Sequence, residues 1–426
     1  MKHFVSGRVS ILMGFLLASR LAGAAATPLV PQARLQPADL TPGDGFGNEA
    51  VLSADGGTAL LPARFQDCAA AVDCGAVYVF ARQGGTWIQQ TKLTPPGAAA
   101  HDQFASAAVS ADGNVALIGD YSRDCGLGSG CGAAFVFERS GGVWGAGVPL
   151  DSPSPQVLGR YGSSVGLSGA GDVAVVGAIS ESGTGVAHVF RRTGGAWSLE
   201  TTLHPDLLAP NNFFGSSIQV SRDGKTVLAR GDVFGGANAG AVYVFRETGG
   251  TWSQEAKILP PVLTIFEFFP VALSGDGQTA IIAHDQAYFV YVRNAGLWTQ
   301  QVPALPGNGG AALSFDGGTV IVGSGGGTAQ LLARNGSVWS LLQVLIPTEP
   351  GAASSGTSVA LSGDARTALV GLPGVDCAAG CRGAAFIFAE DVPLAAVPTL
   401  SELGLALLAL LIAGTGAVLL RRRQRV

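Results

Sequence analysis

All six tryptophans of this chain fall at one phase of an internal repeat: Trp87, Trp144, Trp197, Trp252, Trp298 and Trp339, at intervals of 41 to 57 residues. A second marker precedes each of them, beginning at Leu52 ("LSADGG"), Val109 ("VSADGN"), Leu167 ("LSGAGD"), Val220 ("VSRDGK"), Leu273 ("LSGDGQ") and Leu313 ("LSFDGG"). A seventh copy, "LSGDAR", starts at Leu361 and no tryptophan follows it. A period of this length means that one supersecondary unit is repeated, and that such units share a core which none could build alone.

Each unit reads as four strands. The first ends in the Leu/Val-Ser marker, whose Asp-Gly makes a tight hairpin turn. The second is apolar, as in "NVALIGD" from Asn114. A longer connection leads to the third, typified by "GAVYVF" (Gly240 to Phe245), and Gly-Gly turns the chain into a fourth strand carrying the Trp. Composition agrees with many short strands and tight turns: 63 glycines in 426 residues, 47% apolar and only 13% charged. Stacking such units around an axis covers both faces of each sheet and leaves only short edges, which predicts an all-β propeller. The turn spacing opposes a helical solenoid, and a sandwich has no need of a sevenfold phase.

Seven first strands with six Trp-bearing fourth strands leave one blade incomplete. "QARLQPADLTPGDGFG" near the start parallels "QTKLTPPGAAAHDQFA" from Gln90. Residues 33–36 are therefore expected to supply the last fourth strand and close a seven-bladed ring over residues 27–392. The recurring Phe and Trp are expected to pack its core.

The two ends carry different information. Residues 1–26 have a basic start (Lys2, Arg8), an apolar centre and a small-residue exit, as in a secretory signal peptide. Residues 393–402 form a linker, 403–420 an uncharged apolar run long enough to cross a bilayer as a helix, and 421–426 a basic tail that would stay cytoplasmic. Export fits the six cysteines. They fall in three close pairs, Cys68/Cys74, Cys125/Cys131 and Cys377/Cys381, each preceded by an Asp, and local disulfides are the economical reading. Zinc is the alternative, although no pair has C-x2-C spacing and no histidine accompanies one.

At this point two resemblances emerge. "DGFGNEAVLSADG", "FFGSSIQVSRDG" and "GAVYVF" resemble the FG-GAP repeats of integrin-α-type propellers, over roughly residues 32–388. That family often carries a D-x-D-x-D-G calcium loop between its first two strands. Here the turn holds one carboxylate where Ca²⁺ wants six to eight oxygens, so calcium is doubtful and no cofactor is expected. "VPTLSELGLALLALLIAGTGAVLLRRR" is similar to bacterial IPTL sorting tails, through Pro398-Thr399-Leu400, the apolar run and Arg421-Arg422-Arg423. The resemblance implies a membrane partner, recognition by an exosortase-like sorting enzyme and removal of the helix. A permanent anchor is the alternative.

Several motifs look chemical without the context chemistry needs. "GSSVG" (Gly162 to Gly166) matches a hydrolase nucleophile elbow, but it lies in a first strand and recurs as "GSSIQ". "RGD" (Arg230 to Asp232) reads as a strand end, its Gly-Asp aligned with Gly119-Asp120, and "GSGGG" from Gly323 has no helix behind it. The five histidines do not cluster. A net charge of −5 without a basic stripe excludes nucleic acid as a partner.

Variable loops on a rigid scaffold are the usual carriers of recognition. In a propeller the connections between strands two and three, and between blades, share one face. That face is expected to hold Asp67, Asp73, Asp120, Arg123, Asp124, Arg160, Asp232, His284, Asp285, Asp376 and Arg382. The function expected is non-enzymatic display of this face on a cell surface or in a matrix, toward a surface protein or glycan. A carbohydrate-active propeller enzyme and a purely structural envelope component are the alternatives.

Overall fold

The computed structural model describes residues 27–391, except 69–70, 207–211, 232–240, 261–269, 285, 308, 325, 349–357, 376 and 378–379. The leader (1–26), the linker, the apolar run and the basic tail lie outside the described residues. Seven antiparallel sheets follow one another around an axis. The first blade runs Val51–Leu52, Thr58–Ala63, Ala76–Gln83 and Thr86–Leu93 in sheet order. The same path recurs through the sixth blade, which ends at Leu345. In the second blade the outer strand is split into Val143–Trp144 and Val148–Pro149.

The seventh sheet combines Ser358–Leu361, Thr367–Leu372 and Ala384–Glu390 with an outer strand from the beginning of the chain, Leu29–Leu35. Leu29 stands opposite Glu390 and Leu35 opposite Ala385, with a register shift between Pro31 and Ala33. This outer strand therefore starts earlier than residues 33–36, and Gln36 lies just past its end. Pro31 is tolerated because the position is an edge and a register irregularity, where no ladder N–H is required.

The marker turns show why the sequence repeats. Ser53 Oγ accepts the Thr58 N–H (2.9 Å), and Asp55 accepts both the Ser53 hydroxyl and the Gly57 N–H (2.9 Å). The same Ser–Asp bond forms at Ser110–Asp112, Ser221–Asp223, Ser274–Asp276, Ser314–Asp316 and Ser362–Asp364, and in the third blade as Ser168–Asp172. Glycine follows because the backbone is left-handed and the preceding blade is close. A Cβ on Gly113 (φ +70) would lie 2.3 Å from Thr58 Oγ1. The seventh copy places Ala365 in the same conformation, at φ 60.

These turns join one another into a circuit. Backbone bonds run from Asp55 to Ala111, Ala111 to Gly169, Gly169 to Arg222, Arg222 to Gly275, Asp276 to Phe315, Phe315 to Gly363 and Gly363 back to Ala54. One face of the ring is thus laced by main chain alone.

Apolar clusters fill the space between neighbouring blades. Leu60, Val77 and Val79 of the first pack against Ile118, Phe135 and Phe137 of the second, with Phe104 from the connection between them. The recurring Phe80, Phe137, Phe190, Phe245 and Phe388 are buried, as core packing requires. The tryptophans also pack against these clusters, Trp87 as a buried member and the other five half-buried on outer strands. Trp144, Trp252 and Trp298 donate their ring N–H to Gln90, Glu200 and Glu255 of the preceding blade. They staple blades at the perimeter because an indole offers an apolar body with one polar tip.

Candidate functional site

Connections between second and third strands are long in four blades and short in two. They span residues 64–75, 121–132, 231–241 and 373–383 in the first, second, fourth and seventh blades, but only 285–286 and 325–327 in the fifth and sixth. Those of the first, second and seventh blades each contain a disulfide: Cys68–Cys74, Cys125–Cys131 and Cys377–Cys381. The Asp before a cysteine braces its loop, since Asp67 Oδ1 accepts the Asp73 N–H (3.0 Å) and Asp124 Oδ1 accepts the Gly130 N–H (3.1 Å). Ring closure makes these three blades neighbours. The Gly43 N–H, entering the first blade, donates to the Cys381 carbonyl at 3.1 Å.

The expected face residues separate into three sets. Asp67, Asp73, Arg123, Asp124, Arg160 and Arg382 sit in the connections with solvent contact, and Asp73 pairs with His101 at 3.1 Å. Asp232, Asp285 and Asp376 lie outside the described residues. Asp120 (0% exposed) and His284 (2%) are buried rather than displayed. They occupy one repeat position at the end of the second strand. "RGD" needs a related correction. Register places Arg230 opposite Ser217 as Gly119 is opposite Ser106, so Arg230 aligns with Gly119 and is itself buried.

Around Asp120 the second blade holds a compact charge cluster. Arg123 Nη1 lies 3.6 Å from Asp102 and 3.7 Å from Asp120, and its guanidinium covers the Phe135 ring at 5.3 Å. Arg123 also donates through Nη2 to the Pro96 carbonyl (2.7 Å). Neither Asp120 oxygen has a hydrogen-bond partner. Burial, aided by the Asp102 charge and opposed by Arg123, pushes the Asp120 carboxyl up to about 8. Burial raises Asp102 as well.

The second feature is the central channel, a cavity of about 650 Å³ lined by the first strands of all seven blades. Its walls are mostly Ala, Ser, Gly, Val and Leu. At the loop-face mouth stand Glu49, Arg64 and Tyr121. Arg64 Nη2 donates to the Tyr121 hydroxyl (3.1 Å), which donates to Gln103, and the guanidinium also faces the Tyr121 ring at 5.6 Å. Glu49 accepts the Ala107 N–H of the second blade (3.1 Å). It is half-buried in the channel lining, and burial pushes its carboxyl up to about 7 against the opposing effects of that N–H and of Arg64.

Reading motif by motif along the chain missed these residues. Glu49 stands four residues before its marker serine, where the other units hold Ser106, Ser164, Ser217, Pro270, Gly310 and Ser358. The signal was a single large acid in a column of small residues. Among the described residues no three His, Cys, Asp or Glu side chains gather into a group that could hold a metal.

Fold and face together define an all-β, seven-bladed propeller with one disulfide-braced sector. The FG-GAP repeat family matches residues 87–137, and the IPTL-CTERM motif matches residues 395–424. The propeller thus contains a segment similar to an FG-GAP repeat, and an IPTL-CTERM motif follows it in the chain. The matched repeat runs from the outer strand of the first blade to the third strand of the second, so it includes Asp102, Asp120 and Arg123. No curated protein matches the chain. Among the described residues no helix is long and apolar enough to cross a membrane, and residues 403–420 are not among them.

Proposed function

We propose that this is an exported protein held at or sorted to the cell surface, whose propeller presents the loop face of blades seven, one and two for non-enzymatic recognition of a surface protein or glycan. The observation that carries this reading is the placement of all three disulfide-braced loops on contiguous blades. Bracing a loop before binding reduces the ordering cost of recognition. The IPTL-CTERM match supports a sorting enzyme as partner, with the membrane engaged through residues 403–420. The signal peptide at 1–26 belongs to the same reading. Calcium has no place in it, since each marker Asp already serves its own turn.

A hydrolytic alternative has one observation in its favour, a carboxyl displaced to about 7 inside a cavity. Glycoside hydrolysis ordinarily uses two carboxylates, and Glu49 is the one carboxylate among the described lining residues. The test is surface labelling of intact cells making the full chain or a chain lacking residues 395–426. The full chain should be labelled and cell-retained, and the truncated chain should be lost to the medium. Equal retention of both would end the sorting reading.

A further inference from the structure

We propose that the loop-face mouth of the central channel binds a neutral, hydroxyl-rich saccharide end through Glu49 and Arg64, with Tyr121 positioning Arg64. The proposal rests on the surface-recognition reading and names a ligand class for it.

The repeat supplies its own control. Six blades put Ser, Pro or Gly at the innermost position of the first strand, so closing the ring demands nothing larger there. Where the residue is Ser, its hydroxyl can tie to the next blade, as Ser164 does to the Gly215 carbonyl (2.6 Å) and Ser358 to the Gly47 carbonyl (2.9 Å). Glu49 gives up that bond. It engages one oxygen with the Ala107 N–H, and its other oxygen has no protein partner among the described residues. Arg64 donates through Nη2 to Tyr121, while its buried Nε has no partner. Among the described lining residues Glu49 and Arg64 alone carry charge and Tyr121 alone is aromatic, all at the mouth formed by blades one and two.

The mouth sets an acid and a base at one opening, so an ion of either sign meets a like charge there whenever Glu49 is ionised. It offers a strong acceptor and a strong donor, above walls where Val51, Val109 and Leu273 can receive C–H faces. A sugar presents hydroxyls that both donate and accept, on a ring with C–H faces. The cavity of about 650 Å³ falls within the usual range for small-ligand sites, roughly 300–1,000 Å³. A zwitterionic peptide end is the competing ligand and forms an arm of the test.

The full chain in detergent is titrated calorimetrically with maltose, cellobiose, N,N′-diacetylchitobiose and diglycine. At least one saccharide should bind. Glu49→Ser, which restores the residue of four other blades, should weaken it by about tenfold or more without lowering the melting temperature. The isosteric Glu49→Gln and Arg64→Gln should also weaken it, as a check should the serine variant misfold. Absence of saccharide binding at about 10 mM, binding of diglycine alone, or unchanged affinity in the Glu49 variants overturns the proposal. Surface labelling separates the two readings. Failure to bind by a surface-exposed chain removes this site alone, and binding by an unexposed chain removes the display reading alone.

Discussion

Blades seven, one and two differ from blades five and six although the inner strands of all are built alike. In the first arc the second-to-third-strand connections are long, disulfide-braced and surrounded by charged side chains. In the second arc they shrink to residues 285–286 and 325–327, and the distinctive feature moves to the outer edge, where Val338, Leu341 and Leu342 are exposed. The difference teaches that the ring tolerates almost any connection on its loop face. The turn face is fixed by the main-chain circuit, and the space between blades by apolar clusters. Disulfide bracing confined to one arc is therefore not a requirement of folding, for the fourth blade carries an equally long connection (231–241) without one.

The largest test of that separation is Phe46→Ala. Phe46 is fully buried and meets the Tyr78 ring edge-on at 5.8 Å where the seventh blade joins the first. The substitution should cost about 3–5 kcal/mol in chemical denaturation, because the cavity lies in the shared core. A cost confined to the loops would break the distinction between core and decoration.

Reduction of the disulfides should act in the opposite way. Each closes a short loop and should contribute roughly 2 kcal/mol. Hydrogen exchange should rise across residues 64–75 and 121–132 and stay unchanged across 284–287 and 324–328. Uniform acceleration around the ring would show that the braced arc also supports the plain one.

Asp120→Asn sharpens the comparison through pH. Below about pH 4 the carboxyl is neutral in both folded and unfolded chains. As pH rises, the unfolded chain ionises near the ordinary 3.8 while the buried group keeps its proton to about 8. The wild type should thus lose stability between pH 4 and 8, by up to about 1.4 kcal/mol per pH unit. The variant should lack this slope, and parallel denaturation profiles for the two chains would refute the burial argument.

The smallest expected effect is a gain. Ala365 holds a left-handed φ of 60 where the other six units place glycine at φ +64 to +70. Ala365→Gly should stabilise the chain by roughly 1 kcal/mol, read as a higher melting temperature.

Much of this architecture was legible along the chain. The Ser–Asp turns, the apolar second strands and the buried Phe of each third strand are local devices, and local devices leave periodic traces in sequence. The cysteine pairs were legible for the same reason, lying four or six residues apart. The tryptophans were legible as packing residues, but their ring N–H bonds to the preceding blade were not, because those need the neighbouring outer strand in place. Asp120 and His284 were read as displayed because a strand end looks like the start of a loop. The burial of Asp120 depends on Asp102 and Arg123, which neighbouring connections bring against it.

The sequence by itself determined the number of repeats, the strand plan of each and the turns that separate them, since these follow from side-chain alternation and turn chemistry within a few residues. Only the tertiary structure decided which units became neighbours across the closure, bringing Cys381 to Gly43 and Glu49 to Arg64 and Tyr121. Those meetings depend on the curvature and register accumulated over seven sheets, and that sum appears in no single stretch of chain.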